Sequence, residues 1–201
     1  MNDPWVPLLA AGDASDAADR AGVPAALSQL NVFRVLLHRE RLAKGAADLL
    51  LSLLFGGELD ARLRELVIMR IGWATGSEYE WTQHWRIALD LGVEAPDLLG
   101  VRDWPRHPGF GDLERAALAA TDECLAGGAV GSATMTALRS QLTDGELTEL
   151  VAAIGTWSMV STLLRSLAVP LETGVEPWPP DGVQPAAPGD VQASNPHGIQ
   201  P

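Results

Sequence analysis

Several residue types are scarce in this chain of 201 residues, and each scarcity excludes a class of protein. There is a single cysteine, Cys124, and a lone thiol forms neither an intramolecular disulfide nor a CxxC redox pair. Basic residues are few: 14 Lys and Arg against 26 Asp and Glu give a net charge of −12. Such a chain repels phosphate backbones and anionic lipids. We therefore expect neither nucleic acid nor a membrane surface as a partner.

Targeting signals, long apolar runs and cofactor motifs are also missing from the printed sequence. The start, MNDPWVPLLAAGDAS, has no basic region, and the segment AADLLLSLLFGG is too short to span a bilayer. No glycine-rich phosphate loop follows a strand. His38 and His107 have no partner at a metal-ligand spacing, and His197 lies in the tail. We therefore expect a cytoplasmic protein with no metal and no cofactor.

Apolar residues recur at helical spacing through most of the chain, and no segment has the alternation typical of a strand. The predicted helices cover residues 24–55, 60–74, 77–91, 111–127, 131–141 and 144–168. We expect a bend near Gly45 and a long loop at 96–111. The pattern predicts an all-α, single-domain helical bundle over 24–169. Residues 1–23 should form a loosely packed arm with at most one short helix, and the proline-rich residues 170–201 should form an extended or disordered tail.

The stretch ATGSEYEWTQHWRIA, residues 74–88, concentrates polar and aromatic side chains at the start of a predicted helix. Ser77 and Glu80 have the spacing of a capping box, in which each side chain bonds the backbone amide of the other residue. His84 follows one turn after Glu80, so the three side chains share one helix face. The motif is either a helix cap beside a surface histidine or the acid–base groups of a site. Both interpretations are open on these residues alone.

A wider spacing connects this motif to Glu65 on the preceding helix, a residue that could otherwise be a salt-bridged flank residue. Eleven residues separate Glu65 from Ser77. Two residues separate Ser77 from Glu80, and three separate Glu80 from His84. The spacing resembles the signature of the carboxymuconolactone decarboxylase family, which includes the alkylhydroperoxidase D-like proteins. In that signature two cysteines stand where this chain has Ser77 and Glu80. The flanks LDARLRELVIMRIGWATGSEYEWTQHWRIALDLGV are similar too, and a looser likeness extends over 30–169.

The resemblance implies an all-helical subunit that assembles into trimers or hexamers. It implies that His84 is the principal acid or base, that Glu65 and Glu80 orient it or relay protons, and that Ser77 bonds the substrate. Thiol peroxidase activity is not expected, because that chemistry needs an attacking thiolate and a second, resolving thiol. The expected function is a cofactor-free enzyme for a small carboxylated lactone or carbonyl compound, acting by decarboxylation, ring opening or isomerisation. The alternative is a non-catalytic oligomeric binding or scaffold protein on the same fold.

Residues around the motif are candidates for contacts with a substrate or a second subunit. Tyr79 and Trp81 adjoin the motif, and Trp157 lies on the last helix, where the resemblance implies an aromatic that faces the cavity. Arg165 is a candidate for binding a substrate carboxylate, because its guanidinium forms bidentate pairs; a solvated arginine is the alternative. Ile68 and Met69 lie off the main apolar stripe of their helix. Such extra apolar surface favours an interface between subunits.

Overall fold

The computed structural model describes residues 4–179 and 181–185, and helices account for the regular structure of these residues, with no strand among them. The α-helices are α1 (Ala11–Ala21), α2 (Ala25–Ser28), α3 (Asn31–Leu36), α4 (Glu40–Phe55), α5 (Ala61–Thr75), α6 (Glu78–Asp90), α7 (Ala95–Gly100), α8 (Asp112–Gly127), α9 (Ser132–Arg139) and α10 (Asp144–Ser166). Two 3-10 segments follow α3 and α7, at Leu37–Arg39 and Val101–Arg106. The predicted all-α class is confirmed.

Helix α5 is the centre of the fold, because it packs against α6, α8 and α10. It begins after Asp60, whose carboxylate accepts a hydrogen bond from the amide of Leu63 at 2.9 Å. Ile68 and Met69 are both 0% exposed. The predicted subunit interface at these two residues is therefore wrong. The neighbouring elements of the same chain already cover this apolar surface.

Helices α5 and α6 approach each other closely where Gly72 faces Trp81. A Cβ at Gly72 would lie 3.0 Å from the backbone nitrogen of Trp81, a distance at which one of the helices has to move. The chain then reverses through Gly76, whose φ of 68° is in the left-handed region that favours glycine. These two glycines let α6 fold back tightly on α5. The close packing brings His84 of α6 next to Glu65 of α5.

Helix positions from α5 onward agree with the predicted ones, but two local predictions are wrong. Helix α4 continues through Gly45 without a break, because Ala43, Ala46 and Ala47 on the same helix are buried against the core. The predicted loop at 96–111 is largely helical, containing α7 and the second 3-10 segment. Proline is compatible with the first turn of a helix, and Pro96 there begins α7 rather than preventing it.

Both ends of the described chain pack on the bundle. Helix α1 buries Ala14 and Ala18 in the same apolar cluster as α4, so the predicted arm is packed rather than loose. Trp178 is 3% exposed, and its amide donates a hydrogen bond to Oγ1 of Thr82 at 3.2 Å. Asp181 pairs with Arg102 at 2.8 Å. The tail is therefore docked through residue 185, while predicted tail residues 186–201 lie outside the described residues.

Helix α10 is long and apolar enough by composition to cross a bilayer, with a mean hydropathy of 1.4 over its most apolar window. The sequence-based expectation concerned only the apolar segment in α4 and did not include α10. Leu150, Ile154 and Trp157 of α10 pack in the core with α5, and 44% of the window is buried. A core helix passes the same test as a membrane span, so this is weak evidence for a membrane. A cytoplasmic location stays a prediction.

Candidate functional site

A cavity of about 310 Å³ lies between α3, α4, α6 and α10, at the lower end of the size range of ligand pockets. Its four polar lining residues, Tyr79, Glu80, Gln83 and His84, all come from α6. The rest of the wall is apolar and comprises Leu27, Leu30, Val32, Phe33, Leu36, Leu42, Ala46, Leu50, Leu51, Leu54, Phe55, Ile87, Trp157, Met159, Val160 and Leu163. The motif singled out in the sequence therefore supplies the polar side of an otherwise apolar cavity.

His84 is held from two sides by residues of α5 and α10. Its Nδ1 lies 2.7 Å from Oε2 of Glu65, and the indole Nε1–H of Trp157 donates to Nε2 at 3.0 Å. An indole nitrogen can only donate, so Nε2 is the acceptor and Nδ1 carries the proton that Glu65 accepts. This arrangement is the neutral imidazole in one defined tautomer. The pair also fixes the plane of the ring at the cavity wall.

Glu65 serves as a positioning residue for His84. Its Oε1 accepts a hydrogen bond from Nε of Arg64 at 3.2 Å, and its Oε2 is the acceptor for His84. The Glu65 side chain is fully buried and is not part of the cavity lining. A buried carboxylate with two charge-assisted partners is well stabilised. Glu65 therefore orients the imidazole and stabilises its protonated form, and it does not reach a ligand directly.

The electrostatic environment of His84 favours a second protonation. Burial lowers the pKa of His84, but the charge and hydrogen bond of Glu65, together with the charge of Glu80, raise it above the ordinary value. A proton on Nε2 would remove the acceptor that Trp157 uses. Oε2 of Glu80 lies 3.6 Å from Nε2 of His84. After a small movement of either side chain, this oxygen could accept a hydrogen bond from a protonated Nε2. His84 can therefore exchange a proton on the cavity side while Glu65 holds the other nitrogen.

Glu80 is a buried carboxyl group whose pKa lies far from its ordinary value. It is 4% exposed, and its Oε2 is buried with no hydrogen-bond partner among the described residues. Burial raises the pKa of Glu80 to about 7; the charge of His84 opposes this shift and that of Glu65 adds to it. A carboxyl group with a pKa near neutrality can act as an acid or as a base at pH 7. Glu80 is thus a candidate proton-exchanging group, and one of its carboxyl oxygens has no hydrogen-bond partner among the described residues.

The capping-box interpretation of Ser77 and Glu80 is wrong. The Ser77 side chain makes no capping bond, and its Oγ is buried without a partner among the described residues. The Ser77 amide donates instead to the carbonyl of Gly72 at 2.8 Å, in the turn that closes α5. Glu80 points toward His84 rather than back to residue 77. Ser77 does not line the cavity, so the structure does not place its hydroxyl where a ligand would bind.

Glu172, which no sequence motif singles out, connects the tail to the polar side of the cavity. Its carboxylate accepts hydrogen bonds from the hydroxyl of Tyr79, from Nε2 of Gln83 and from the backbone amide of Asn31. Burial, followed by the bond and charge of Glu172, raises the pKa of Tyr79. Glu172 lies 93 residues from Tyr79 in a proline-rich segment, and no local spacing marks it. The hydroxyl donor of Tyr79 and one amide N–H of Gln83 are therefore already engaged.

Two of the predicted substrate contacts lie away from the cavity. Trp81 is buried in a cluster of indoles with Trp73, Trp85 and Trp178, and its Nε1–H donates to the carbonyl of Pro179 at 3.1 Å. Arg165 is exposed near the end of α10 and is not part of the cavity lining. The structure brings together Glu65, Glu80, His84, Tyr79 and Trp157 and leaves Ser77, Trp81 and Arg165 outside this group.

Metal-ligating side chains do not cluster in the described part of the chain: no group of three His, Cys, Asp or Glu residues there could hold a metal ion. Cys124 lies on α8, packed beside the core cluster of α5, α8 and α10, and is not part of the cavity lining. Burial and the charge of Glu123 raise the pKa of its thiol. A higher pKa leaves less thiolate, the reactive form.

Three solved structures resemble the fold over most of their length. An alkylhydroperoxidase AhpD core, an uncharacterized peroxidase-related protein from Ralstonia eutropha JMP134, superposes with a TM-score of 0.69 at 18% identity, covering 86% of this chain and 94% of that one. A cysteine-to-alanine variant of the debrominase Bmp8 in complex with 2,3,4-tribromopyrrole gives 0.66 at 16%, covering 86% and 94%. An uncharacterized peroxidase-related protein from Silicibacter sp. TM1040 gives 0.65 at 13%, covering 87% and 92%. At these identities the likeness concerns the fold alone.

No curated protein has significant sequence similarity to the chain. The family model described as "Carboxymuconolactone decarboxylase family" matches residues 40–123, which include Glu65, Ser77, Glu80 and His84. This stretch begins with α4 and ends within α8, so it contains both helices that build the polar side of the site. The part of the chain that matches the carboxymuconolactone decarboxylase family model is therefore the part that carries the site, with a serine and a glutamate at the positions where the sequence resemblance expects a cysteine pair.

Proposed function

We propose that the protein is an acid–base enzyme that transfers protons on a small carbonyl or lactone compound, with Glu80 and His84 as the exchanging groups. The observation that carries the proposal is the buried carboxyl of Glu80. Its Oε2 has no partner among the described residues, its pKa is about 7, and it lies 3.6 Å from Nε2 of His84 at the cavity wall. Perturbed pKa values of paired groups in a pocket are typical of catalytic sites.

The arrangement can isomerise a carbonyl compound without a co-reactant. Ionised Glu80 takes a proton from the carbon next to the carbonyl, and the electron pair of the broken C–H bond moves to the carbonyl oxygen. Protonated His84 donates Nε2–H to that oxygen, where negative charge develops. When the substrate has a β,γ double bond, the enolate is a dienolate, and the carboxylic acid of Glu80 returns its proton to the γ-carbon as the double bond moves to the α,β position. Substrate and product have the same composition, and both side chains regain their starting states.

Glu65 and Trp157 assist this step without exchanging a proton with the substrate. Glu65 stabilises the imidazolium of His84 through the 2.7 Å contact with Nδ1. The indole of Trp157 bonds Nε2 in the resting state at 3.0 Å and keeps the imidazole neutral until a ligand displaces that bond. Ring opening of a lactone could use the same pair. The structural relative Bmp8 binds a halogenated pyrrole, which agrees with a small-molecule site on this fold.

The proposal is tested by proton exchange with heavy water, which needs no knowledge of the natural substrate. A panel of small neutral ketones and lactones is incubated with the protein in deuterium oxide, and loss of the signals of protons next to the carbonyl is followed by NMR. We expect exchange above the uncatalysed rate, greatest near pH 7, where Glu80 is partly ionised. Compounds that bind by calorimetry but show no exchange between pH 6 and 8 would contradict the proposal.

We expect no thiol-dependent peroxide consumption. Peroxide reduction by this family's cysteine pair would require thiols where the chain has Ser77 and Glu80, and a hydroxyl or carboxylate cannot form a sulfenic acid. The measurement is hydrogen peroxide loss in the presence of a dithiol, with Cys124→Ser as the matched control. A robust rate that vanishes in Cys124→Ser would overturn this expectation.

A second candidate is a binding protein without turnover, which the exposed apolar rim of the cavity favours. The rim includes Leu42, Phe55, Ile87 and Met159, all exposed, with Phe55 at 82%. One observation disfavours this second candidate. The cavity is not filled by tryptophans, because four of them pack together in a separate core cluster: Trp73, Trp81, Trp85 and Trp178. The exchange experiment separates the two candidates, because binding without exchange is the outcome expected of the second.

We also propose that the protein is a homo-oligomer whose interface includes this apolar rim. Exposed apolar residues in a contiguous group usually mark an interaction surface. Light scattering at micromolar concentration should report a multiple of the 21.3 kDa chain. Phe55→Asp should shift the distribution toward the single chain, whereas Trp5→Asp, at another exposed aromatic, should not. A wild-type monomer at this concentration would contradict the proposal.

A further inference from the structure

The walls of the cavity lack the charge that a substrate carboxylate requires. Among the described residues that line it, none is Lys or Arg, and Arg165, the predicted carboxylate ligand, is exposed elsewhere. Arg64 is the cation near the site, and its Nε is bonded to Oε1 of Glu65 at 3.2 Å. The Arg64–Glu65 pair is on the far side of His84 from the cavity. A carboxylate in the cavity would therefore have no Lys or Arg partner among the described lining residues.

An anionic ligand would also meet carboxylates already present. Glu80 faces the cavity, Glu65 lies behind His84, and Glu172 lies behind Tyr79 and Gln83. Two carboxylates in one poorly hydrated site repel each other, and burying an unpaired charge carries a large desolvation penalty. Only His84 could offset this repulsion, and in the resting state its Nε2 is an acceptor toward Trp157. The cavity thus disfavours the carboxylated compounds that the family resemblance implies.

The polar capacity left for a ligand is small and lies at one place. Tyr79 donates its hydroxyl proton to Glu172, and Gln83 uses one of its two amide N–H groups on the same carboxylate. Oε2 of Glu80 is the buried polar atom in the lining without a partner among the described residues. A ligand hydroxyl would satisfy it by donating a hydrogen bond, and a ligand carbonyl would satisfy it by accepting one from the protonated carboxyl. The volume of about 310 Å³ equals about ten liquid water molecules at ~30 Å³ each, which is room for a ligand of roughly ten non-hydrogen atoms.

We propose that this site selects an uncharged, largely hydrocarbon molecule of about this size that carries one carbonyl or hydroxyl group, and that it rejects the corresponding carboxylate. The proposal deepens the proposed function by naming its substrate class, and it rests on the same site. The hydrocarbon ring or chain occupies the space between α4 and α10, against Leu50, Leu54 and Val160. The polar group of the ligand lies at the end of the cavity formed by Glu80 and His84.

Calorimetric binding of two isosteric probes tests this class without requiring turnover. The probes are 4-propylcyclohexanecarboxamide, which is neutral, and 4-propylcyclohexanecarboxylate, which has the same shape and a negative charge. At pH 8, where Glu80 is mostly ionised, we expect the amide to bind at least tenfold more tightly. At pH 5.5, where the Glu80 charge is largely gone and the probe is still ionised, the ratio should fall several-fold. Glu80→Gln should remove this dependence on pH, provided that His84, Glu65 and Arg64 keep their contacts.

Arg165→Ala is the matched control, because Arg165 is the residue that the sequence nominated for a carboxylate. We expect it to change the binding of neither probe. Equal or tighter binding of the carboxylate at pH 8, a selective loss of carboxylate binding in Arg165→Ala, or no binding of the amide at millimolar concentration would each overturn the proposed class. These outcomes are distinct from failure of the proposed function. If the amide binds but no proton exchange is detected, the proposed ligand class stands and the proposed enzymatic activity is wrong.

Discussion

Glu80→Gln should lower proton exchange at pH 7 by roughly a hundredfold to ten-thousandfold, the usual contribution of a general acid or base. The amide has nearly the shape of the carboxyl group but does not exchange a proton at this pH. Its NH2 group can still bond a carbonyl oxygen in the cavity, so binding of a neutral ligand should change only a few-fold. The effect should therefore appear in the turnover rate rather than in affinity. The measurement is deuterium exchange at saturating ligand, with calorimetry for the affinity.

Ser77→Ala is the control for this experiment on the same helix. The hydroxyl of Ser77 is buried without a partner among the described residues, so its removal leaves no group unsatisfied. We expect nearly unchanged exchange and a stability equal to or slightly above that of the wild type. Loss of about 1 kcal/mol in Ser77→Ala would indicate a helix cap after all. Wild-type turnover in Glu80→Gln would remove Glu80 from the mechanism.

His84→Ala is a weaker test than the sequence suggests. From the sequence alone, His84 could be exposed, and its loss would then hardly affect stability. In the structure His84 is buried and bonded to Glu65 and Trp157. Its removal leaves the buried carboxylate of Glu65 with Arg64 as its remaining partner, and breaking a buried pair typically costs about 3–5 kcal/mol. A loss of activity in this variant could therefore reflect unfolding, whereas Glu80→Gln removes no existing hydrogen bond among the described residues.

The same Glu80→Gln variant should be more stable than the wild type at alkaline pH. The pKa of Glu80 is about 7 in the folded protein and near its ordinary value of 4.5 in the unfolded chain. Below pH 4.5 the carboxyl is neutral in both states, so its contribution to stability is fully present. As the pH rises through 7, the folded protein must ionise a buried group, and that contribution is lost. Each tenfold difference in proton affinity is worth about 1.4 kcal/mol, so the loss approaches about 3 kcal/mol above pH 8.

Urea unfolding of both proteins between pH 4.5 and 8.5 measures this effect. We expect the free energies of unfolding to be similar at pH 4.5 and to diverge by up to about 3 kcal/mol at pH 8.5, with the glutamine variant more stable. Asp90→Asn, which neutralises an exposed carboxylate at the end of the same helix, should show no such divergence. Parallel pH profiles for the wild type and Glu80→Gln would show that Glu80 ionises normally in the folded protein.

The sequence by itself determined which helices carry the site and which candidate residues lie on those helices. Apolar spacing located α5 and α6, and the interval from Glu65 to His84 pointed to the family whose model matches residues 40–123, because both signals depend on local sequence spacing. Single residues in that pattern were harder to interpret. The same spacing of Ser77 and Glu80 is compatible with a capping box and with a buried carboxyl, since it does not specify which way a side chain faces relative to the core.

Tertiary packing decided the rest, because burial and partners across the chain depend on which elements meet. Ile68 and Met69 look like an interface on a single helix, but they are buried where other elements of the chain surround α5. Trp157 bonds His84 across 73 residues of sequence, and no local pattern encodes such a contact. Burial without a partner changes Glu80 from an ordinary acidic side chain to one that exchanges protons near pH 7, because water is no longer available to solvate its charge.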